Sequence, residues 1–283
     1  MKLLITLTLL ITSAYSYSQN REAFVIYNAK GKKVSYKKML KAMTEKDIVL
    51  FGESHDNPIS HWLELEITKD LDQENDLVLG AEMYEADNQL QINDYVSGKI
   101  DYKALDTLAR LWSNDQTDYL PLLDYAKANN LKFIATNIPR RYASMVYKKG
   151  FEALDELSDQ EKAWMAPLPM PYDASLPRYV NILEMMGDHG SPKLVMAQAT
   201  KDATMAHFIL NNWSIGKQFI HYNGSYHSDY YEGILWYLQR ERPSLNYGTI
   251  STVSQADITH LEDEYLGKAD FIICVDEDMT TTY

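Results

Sequence analysis

The sequence predicts an α/β fold, with a mostly parallel central sheet flanked by helices and a helical insertion over the carboxyl ends of the strands. Short apolar runs alternate with helix-like segments between about residues 47 and 275. Alternation of this kind is typical of parallel strands joined by right-handed crossovers. Residues 138–192 differ in composition from the rest of the chain, because methionine, tyrosine and proline are concentrated there. We interpret this stretch as the helical insertion.

The amino terminus has the pattern of a secretory signal. One lysine precedes a short apolar run, and small residues lead up to Gln19. The run is too short to remain as a membrane span. We therefore predict a signal peptide over residues 1–18 and a single α/β domain over 19–283. No cysteine lies near the cleavage point, so we expect an exported chain, periplasmic or secreted, without a lipoprotein anchor.

Charge and cysteine content narrow the classes of partner. The chain has 27 basic and 40 acidic residues and a net charge of −13. Such a balance disfavours nucleic acid and anionic lipid, which require a basic surface. The single cysteine, Cys274, allows no internal disulfide, and its apolar surroundings predict a buried strand residue.

Local signals predict the following elements. Asn57 followed by Pro58 is typical of a helix start, and glycine between two apolar runs is typical of a hairpin. We expect a hairpin over 23–27 and 33–36, further strands at 48–51, 77–81, 132–136, 193–197, 217–222, 247–253 and 269–275, and helices at 36–43, 58–70, 90–95, 120–129, 201–211 and 230–239. Residues 102–112 form an amphipathic segment.

Polar residues follow three of the predicted strands. Residues 52–55 and 224–227 both read Gly-x-x-His, and Glu82 ends a third apolar run. In parallel α/β sheets the carboxyl ends of the strands meet at one edge, where ligands bind. Histidines and carboxylates gathered there predict a metal or acid/base site. We place two neighbours outside this site: His61 as a solvated or core-edge histidine, and Glu85 as a surface residue.

The paired Gly-x-x-His motifs with the strand-end glutamate resemble the Tiki superfamily. Within it the chain is most similar to the ChaN-like haem-binding and iron-uptake proteins. Further matches are Pro-Arg-Arg at 139–141, Met-Pro-Tyr at 170–172 and the segment 196–202. The resemblance extends from about residue 47 to the 227 region. It implies a periplasmic or surface protein that binds haem, in a superfamily that also contains metal-dependent proteases and erythromycin esterase-like enzymes.

This resemblance leads to our first hypothesis, a haem-binding protein in haem and iron acquisition. Haem would lie near the carboxyl ends of the strands, with a tyrosine oxygen or histidine nitrogen on the iron and arginine on the propionates. An outer-membrane uptake receptor and a homodimer are the protein partners that we consider. A plain lid on the core and a salt bridge from arginine to Glu53 or Glu82 remain open alternatives. The residues expected at the haem are Arg140, Arg141, Met170, Tyr172, Tyr179 and Tyr226.

The residues themselves also support a second hypothesis, a metal-dependent hydrolase. His55, Glu82 and His227 would hold a divalent ion, and Glu53 would act as base on a bound water. Histidine and carboxylate ligands suit zinc, manganese or cobalt, and spacing does not choose among them. A third alternative is a scaffold in which the polar residues form a hydrogen-bonded network only.

Overall fold

The computed structural model describes residues 22–283 and contains one seven-stranded sheet. The predicted signal peptide, 1–18, lies outside these residues. The strand order is β1-β7-β6-β2-β5-β3-β4, and each neighbouring pair is parallel except β1 with β7. This confirms the predicted α/β class. The strands are β1 (Phe24–Asn28), β2 (Ile48–Glu53), β3 (Asp76–Glu85), β4 (Lys132–Asn137), β5 (Lys217–Gly224), β6 (Tyr247–Gln255) and β7 (Phe271–Asp276).

Helices connect these strands and cover both faces of the sheet. They are α1 (Tyr36–Thr44), α2 (Pro58–Asp72), α3 (Gln89–Val96), α4 (Tyr102–Leu108), α5 (Asp115–Asp118), α6 (Leu120–Asn129), α7 (Arg140–Lys149), α8 (Asp159–Lys162), α9 (Pro177–Met186), α10 (Pro192–Asn212) and α11 (Ile234–Glu241). Helix α2 starts as predicted, because the Asn57 side chain accepts hydrogen bonds from the backbone N–H groups of Ile59 and Ser60. None of the helices in residues 22–283 has the length and hydrophobicity that crossing a membrane requires.

Alternate residues of the buried strands belong to two different cores. Val49 and Phe51 of β2 pack in the cluster that contains the buried side of α2, whereas Ile48 and Leu50 pack with α10 and α11. In β3, Val78 faces the α10 side. Because side chains alternate along a strand, residues two or four positions apart lie on the same face of the sheet. Glu53 therefore points toward α2, and Glu82 points toward α10.

Two predicted strands differ from the structure. The hairpin over 23–27 and 33–36 is reduced to a single bridge between Tyr27 and Lys33, and β1 pairs with β7 instead. The strand predicted at 193–197 is wrong: these residues belong to α10, which Ser191 caps and Pro192 starts. The four-residue apolar run 194–197 fits a strand or a buried helix equally well by pattern. Beyond it, the consecutive residues 202–206 of α10 are all buried, so this part of the helix is enclosed on every side.

The insertion at 138–192 is helical as expected, and it leads directly into α10. It consists of α7, α8 and α9 with connecting loops. Helices α7 and α9 pack against α10, which in turn packs against β4. The helical layer above the strand ends is therefore longer than the sequence predicted, because α10 replaces the expected strand.

The pairing of β5 brings the two Gly-x-x-His motifs together. Strand β5 lies between β2 and β3, with Glu53 opposite Gly224 and Ala81 opposite Tyr222. The first motif is thus offset from the second by one residue along the paired strands. Because all three strands are parallel, their polar carboxyl ends meet at one edge of the sheet.

Candidate functional site

A cleft formed by two adjoining cavities lies at the carboxyl ends of β2, β3 and β5. Their volumes are about 490 and 470 Å³, and both are lined by His55, Leu194 and His227. The first cavity has charged walls, which include Glu85, Arg110, Arg140 and Lys201. The second cavity has a more apolar wall, with Ile182, Met185, Met186 and Tyr226. The cleft therefore joins a polar floor to one charged and one apolar wall.

Glu53 is the centre of the polar network on the α2 side. It is fully buried, and its Oε1 accepts hydrogen bonds from Nδ1 of His55 at 2.6 Å and from Oη of Tyr119 at 3.0 Å. Burial alone would raise the pKa of Glu53, but the hydrogen bonds from His55 and His61 outweigh it and lower the pKa. His55 is about one-third exposed, and its hydrogen bond to Glu53 raises its pKa in spite of burial.

His61 is buried, contrary to the expectation of a solvated or core-edge position. Its Nε2 donates to the backbone carbonyl of His55 at 3.1 Å, and its Nδ1 lies 2.9 Å from Oε2 of Glu53 and 3.4 Å from Oε2 of Glu64. Burial opposes protonation, but the two carboxylates raise the pKa of His61 to about 11. Burial and the charge of Glu53 raise the pKa of Glu64 to about 8. We refer to Glu53, His61 and Glu64 as the buried cluster.

A second group of ionisable residues, the cleft cluster, consists of Glu82, Asp202 and His227. Nε2 of His227 lies 3.1 Å from Oε1 of Glu82, and its Nδ1 is hydrogen-bonded to Asp202. The Gly224 N–H donates to Oε2 of Glu82, and Oη of Tyr179 donates to Oδ2 of Asp202 at 2.7 Å. Burial opposes protonation of His227, but Glu82 and Asp202 raise its pKa to about 9. The imidazolium is thus held between two carboxylates.

Gly224 is required by the close approach of β5 to His55. A methyl group at this position would lie 2.6 Å from Nε2 of His55 and 2.9 Å from its Cε1. At Gly52 a methyl group would lie 2.9 Å from the backbone Cα of Ser225. The glycines of the two motifs therefore allow the ends of β2 and β5 to approach each other closely, because neither carries a side chain.

The structure brings together the four residues predicted for catalysis, namely Glu53, His55, Glu82 and His227. The proposed metal ligands differ from those that the geometry groups most tightly. Among residues 22–283, only the ligand atoms of Glu53, His61 and Glu64 are grouped within 4.8 Å of one another. His55, Glu82 and His227 line the cleft together, but their ligand atoms are not grouped this closely.

The residues predicted at the haem are divided between the cleft and its surroundings. Arg140 and Tyr226 line the cleft. Tyr179 lies beneath it and donates to Asp202. The other three have different contacts in the structure: Arg141 pairs with Asp87 and stacks on Trp164, Tyr172 packs against Phe151 and Tyr179, and Met170 packs between two hydrophobic clusters.

Several residues of the site were missed from the sequence. His61 and Glu64 are spaced i, i+3 on α2, a spacing that places both on one helix face and that could have indicated them. Asp202 ends the segment 196–202, which matches the family, but no role was predicted for it because the preceding residues were assigned to a strand. Glu85, expected at the surface, is buried and forms an ion pair with Arg110.

The fold and the site define a class of α/β protein in which histidine and carboxylate side chains occupy the carboxyl ends of parallel strands, under a helical layer. The family model described as haem-binding uptake, Tiki superfamily, ChaN, matches residues 39–238. The chain therefore belongs to this family, as its motifs had indicated.

Known proteins support the fold. The chain shares its architecture with the structure titled cofacial heme binding to ChaN of Campylobacter jejuni, with a TM-score of 0.68, 18% identity and coverage of 90% of this chain and 98% of that one. A Bacillus cereus protein gives a TM-score of 0.52 at 14% identity, covering 89% and 94% of the two chains. At these identities the likeness concerns the fold alone.

A plant protein also has a similar sequence. Protein RETICULATA-RELATED 5, chloroplastic, of Arabidopsis thaliana is 27% identical over 198 residues, which is 64% of this chain. The match spans 26% of the length of the plant protein. It concerns one segment of that larger protein.

Proposed function

We propose that this chain binds haem in the cleft and serves an exported route of haem acquisition. The observation that supports this most is the pairing of an exposed apolar wall with cationic side chains around a polar floor. Met185 and Met186 are 69% and 44% exposed, and both line the cleft beside Ile182. Exposed apolar side chains grouped in a concave surface are typical of a ligand site.

The chemistry of the cleft fits haem. Haem offers a flat apolar ring, an iron that takes a nitrogen or oxygen ligand, and two propionates. Met185 and Met186 suit the ring because their side chains are polarizable and adapt to flat surfaces. Arg140 and Lys201 of the adjoining cavity suit the propionates. Nε2 of His55 and Oη of Tyr226 are the candidate iron ligands in our proposal.

The first experiment is an absorbance titration of the mature chain with haemin, followed at the Soret band. We expect saturable binding with a defined stoichiometry. Met185→Glu should weaken binding about tenfold or more, because it introduces a charge into the apolar wall and removes buried apolar area. Leu90→Glu, which changes an exposed apolar residue of α3, is the matched control. Unsaturable absorbance, or equal affinity of the two variants, would reject the proposed site.

The neighbouring arginines provide a second comparison. Arg140→Ala should weaken haemin binding several-fold because its guanidinium faces the cleft. Arg141→Ala should bind like the wild type, because Arg141 is paired with Asp87. If only Arg141→Ala lost affinity, the propionates would be bound by Arg141 and not by Arg140.

Export is a separate part of the proposal and rests on the sequence of residues 1–18. Mass spectrometry of the protein recovered from cells that express the full chain tests it. We expect a product that begins near Gln19 and is found outside the cytoplasm. A full-length product retained in the cytoplasm would refute this part and leave haem binding open to its own test.

The metal-dependent hydrolase is the second candidate, and the cleft cluster gives it less support. His227 is held between two carboxylates, and its pKa is raised to about 9. Within residues 22–283 the ligand atoms of Glu53, His61 and Glu64 are grouped within 4.8 Å of one another, whereas those of His55, Glu82 and His227 are not. Stoichiometric divalent metal that is lost in His227→Gln would favour the hydrolase over haem binding.

A further inference from the structure

The buried cluster contains a histidine nitrogen that faces two carboxylates. His61 Nε2 lies at hydrogen-bonding distance, 3.1 Å, from the carbonyl oxygen of His55. A carbonyl oxygen only accepts, so Nε2 carries the proton. The other ring nitrogen, Nδ1, points toward Oε2 of Glu53 and Oε2 of Glu64. This orientation is the one that metal-bound histidines usually have, with the second ring N–H donated to a carbonyl or carboxylate.

The carboxylates of the cluster have unused bonding capacity. Glu53 and Glu64 are 1% and 0% exposed. Oε1 of Glu64 is buried and makes no hydrogen bond within the described residues. Oε2 of Glu53 is buried as well, and its contact is with Nδ1 of His61 at 2.9 Å. Buried carboxylate oxygens are normally hydrogen-bonded or bound to a cation. These two oxygens, beside one imidazole nitrogen, therefore have the capacity to bind a shared cation.

The spacing of these atoms suits one ion. Zinc, for example, binds histidine nitrogen and carboxylate oxygen at about 2.0–2.2 Å, which places neighbouring ligand atoms roughly 3 to 3.5 Å apart. Nδ1 of His61 lies 2.9 and 3.4 Å from the two Oε2 atoms. One ligand atom from each residue lies within 4.8 Å of the other two.

The charge of the cluster points to a cation of charge two. Within residues 22–283, the ion-pair partners of Glu53 and Glu64 are histidines, and neither glutamate pairs with lysine or arginine. Metal binding at Nδ1 displaces the imidazole proton, and the two carboxylates with the neutral imidazole then carry a charge of −2, which a divalent ion balances.

We infer that Glu53, His61 and Glu64 form a divalent metal site that joins the end of β2 to α2 and borders the haem cleft at Glu53. Histidine and carboxylate ligands suit zinc, manganese or cobalt. The surrounding contacts hold the ligands in place: Tyr119 donates to Oε1 of Glu53, and the His55 carbonyl accepts from Nε2 of His61. Glu53 and Glu64 are almost completely buried, so exchange of the ion with solvent is expected to be slow.

Metal analysis of the mature chain tests this inference. The protein is stripped with a chelator, titrated with Zn²⁺ and with Co²⁺, and measured by elemental analysis and cobalt absorbance. We expect one equivalent of metal in the wild type, and an affinity reduced about 100-fold or more in Glu64→Gln. Glu66→Gln is the matched control, because Glu66 lies on the same helix and pairs with Lys69 at the surface. Equal affinity of the wild type and Glu64→Gln would overturn the site.

X-ray absorption of the zinc-bound wild type is a second test, which does not depend on whether Glu64→Gln folds. We expect one imidazole nitrogen and otherwise oxygen ligands around the ion. Two imidazoles would instead indicate His55 and His227 in the cleft and would overturn the inference. The absence of a tightly bound ion in the wild type would do the same. These results are independent of the haemin titration, so the two proposals can fail separately.

Discussion

The buried cluster and the cleft cluster contain the same residue types on opposite faces of one sheet. In the buried cluster, one histidine faces two glutamates, and Oε1 of Glu64 makes no hydrogen bond within the described residues. In the cleft cluster, one histidine is held by Glu82 and Asp202, and Tyr179 and Gly224 donate to those carboxylates. The first therefore has capacity for a further ligand, and the second is internally satisfied. Satisfaction of hydrogen bonds, more than residue type, separates a candidate ligand site from a structural network.

The largest loss of stability is expected when one carboxylate of the cleft cluster is removed. Asp202→Ala leaves His227 with one carboxylate and the Tyr179 hydroxyl without an acceptor, both in the interior. We expect a loss of about 3–5 kcal/mol in the free energy of unfolding, measured by denaturant titration at pH 7. Asp257→Ala removes the partner of an exposed histidine, His260, and should leave stability nearly unchanged. Similar stabilities of the two variants would show that the cleft cluster contributes little.

Alkaline pH should weaken the cleft cluster next. The pKa of His227 is about 9 in the folded chain against about 6.5 when unfolded, so the folded state binds the proton more tightly. The resulting stability is complete below about pH 6.5 and is lost as the pH rises through about 9. The loss is on the order of 3 kcal/mol.

Thermal unfolding between pH 6.5 and 10 measures this effect. The melting temperature of the wild type should fall with pH more steeply than that of His227→Gln, since only the wild type loses this proton. His61 does not obscure the comparison, because its pKa is raised to about 11. Parallel curves for the two proteins would show that His227 is neutral in the folded chain at pH 7.

The smallest effect is expected in the buried cluster without metal. Glu64→Gln replaces a carboxyl group that is mostly protonated at pH 7 in the stripped protein, because burial raises its pKa to about 8. The stability of the stripped protein at pH 7 should therefore change by less than about 1 kcal/mol. With Zn²⁺ present, the melting temperature of the wild type should rise and that of Glu64→Gln should not. A large loss of stability in the stripped variant would contradict this description of the cluster.

Much of the fold was predictable because its signals are local. The Asn57-Pro58 helix start, the apolar strands and their alternation with helices each depend on neighbouring residues, and the structure contains them. The prediction failed at residues 193–197, where a short apolar run suits a strand or a buried helix. It also failed at the hairpin, because β1 finds its partner in the distant β7. Pairing across such a distance leaves no local signal.

The candidate site was predictable to the extent that its residues follow strands. Glu53, His55, Glu82 and His227 were selected by their place after apolar runs, and they share one edge of the sheet. Residues contributed by helices were harder to find, since Asp202 lies within a long helix that covers the strand ends. The direction of each glutamate could be read from strand alternation only after the two cores were known.

The sequence by itself determined the α/β class, the polar strand ends and the family to which the chain belongs, because these depend on periodicity and on short motifs. The tertiary structure decided which partners those polar residues have. Placement of β5 between β2 and β3 joined the two motifs. Packing of α2 and α10 on opposite faces then divided the carboxylates into a buried cluster and a cleft cluster. The physical reason is that alternation fixes the face of a side chain within its strand, whereas the neighbours on that face come from segments far away in the chain.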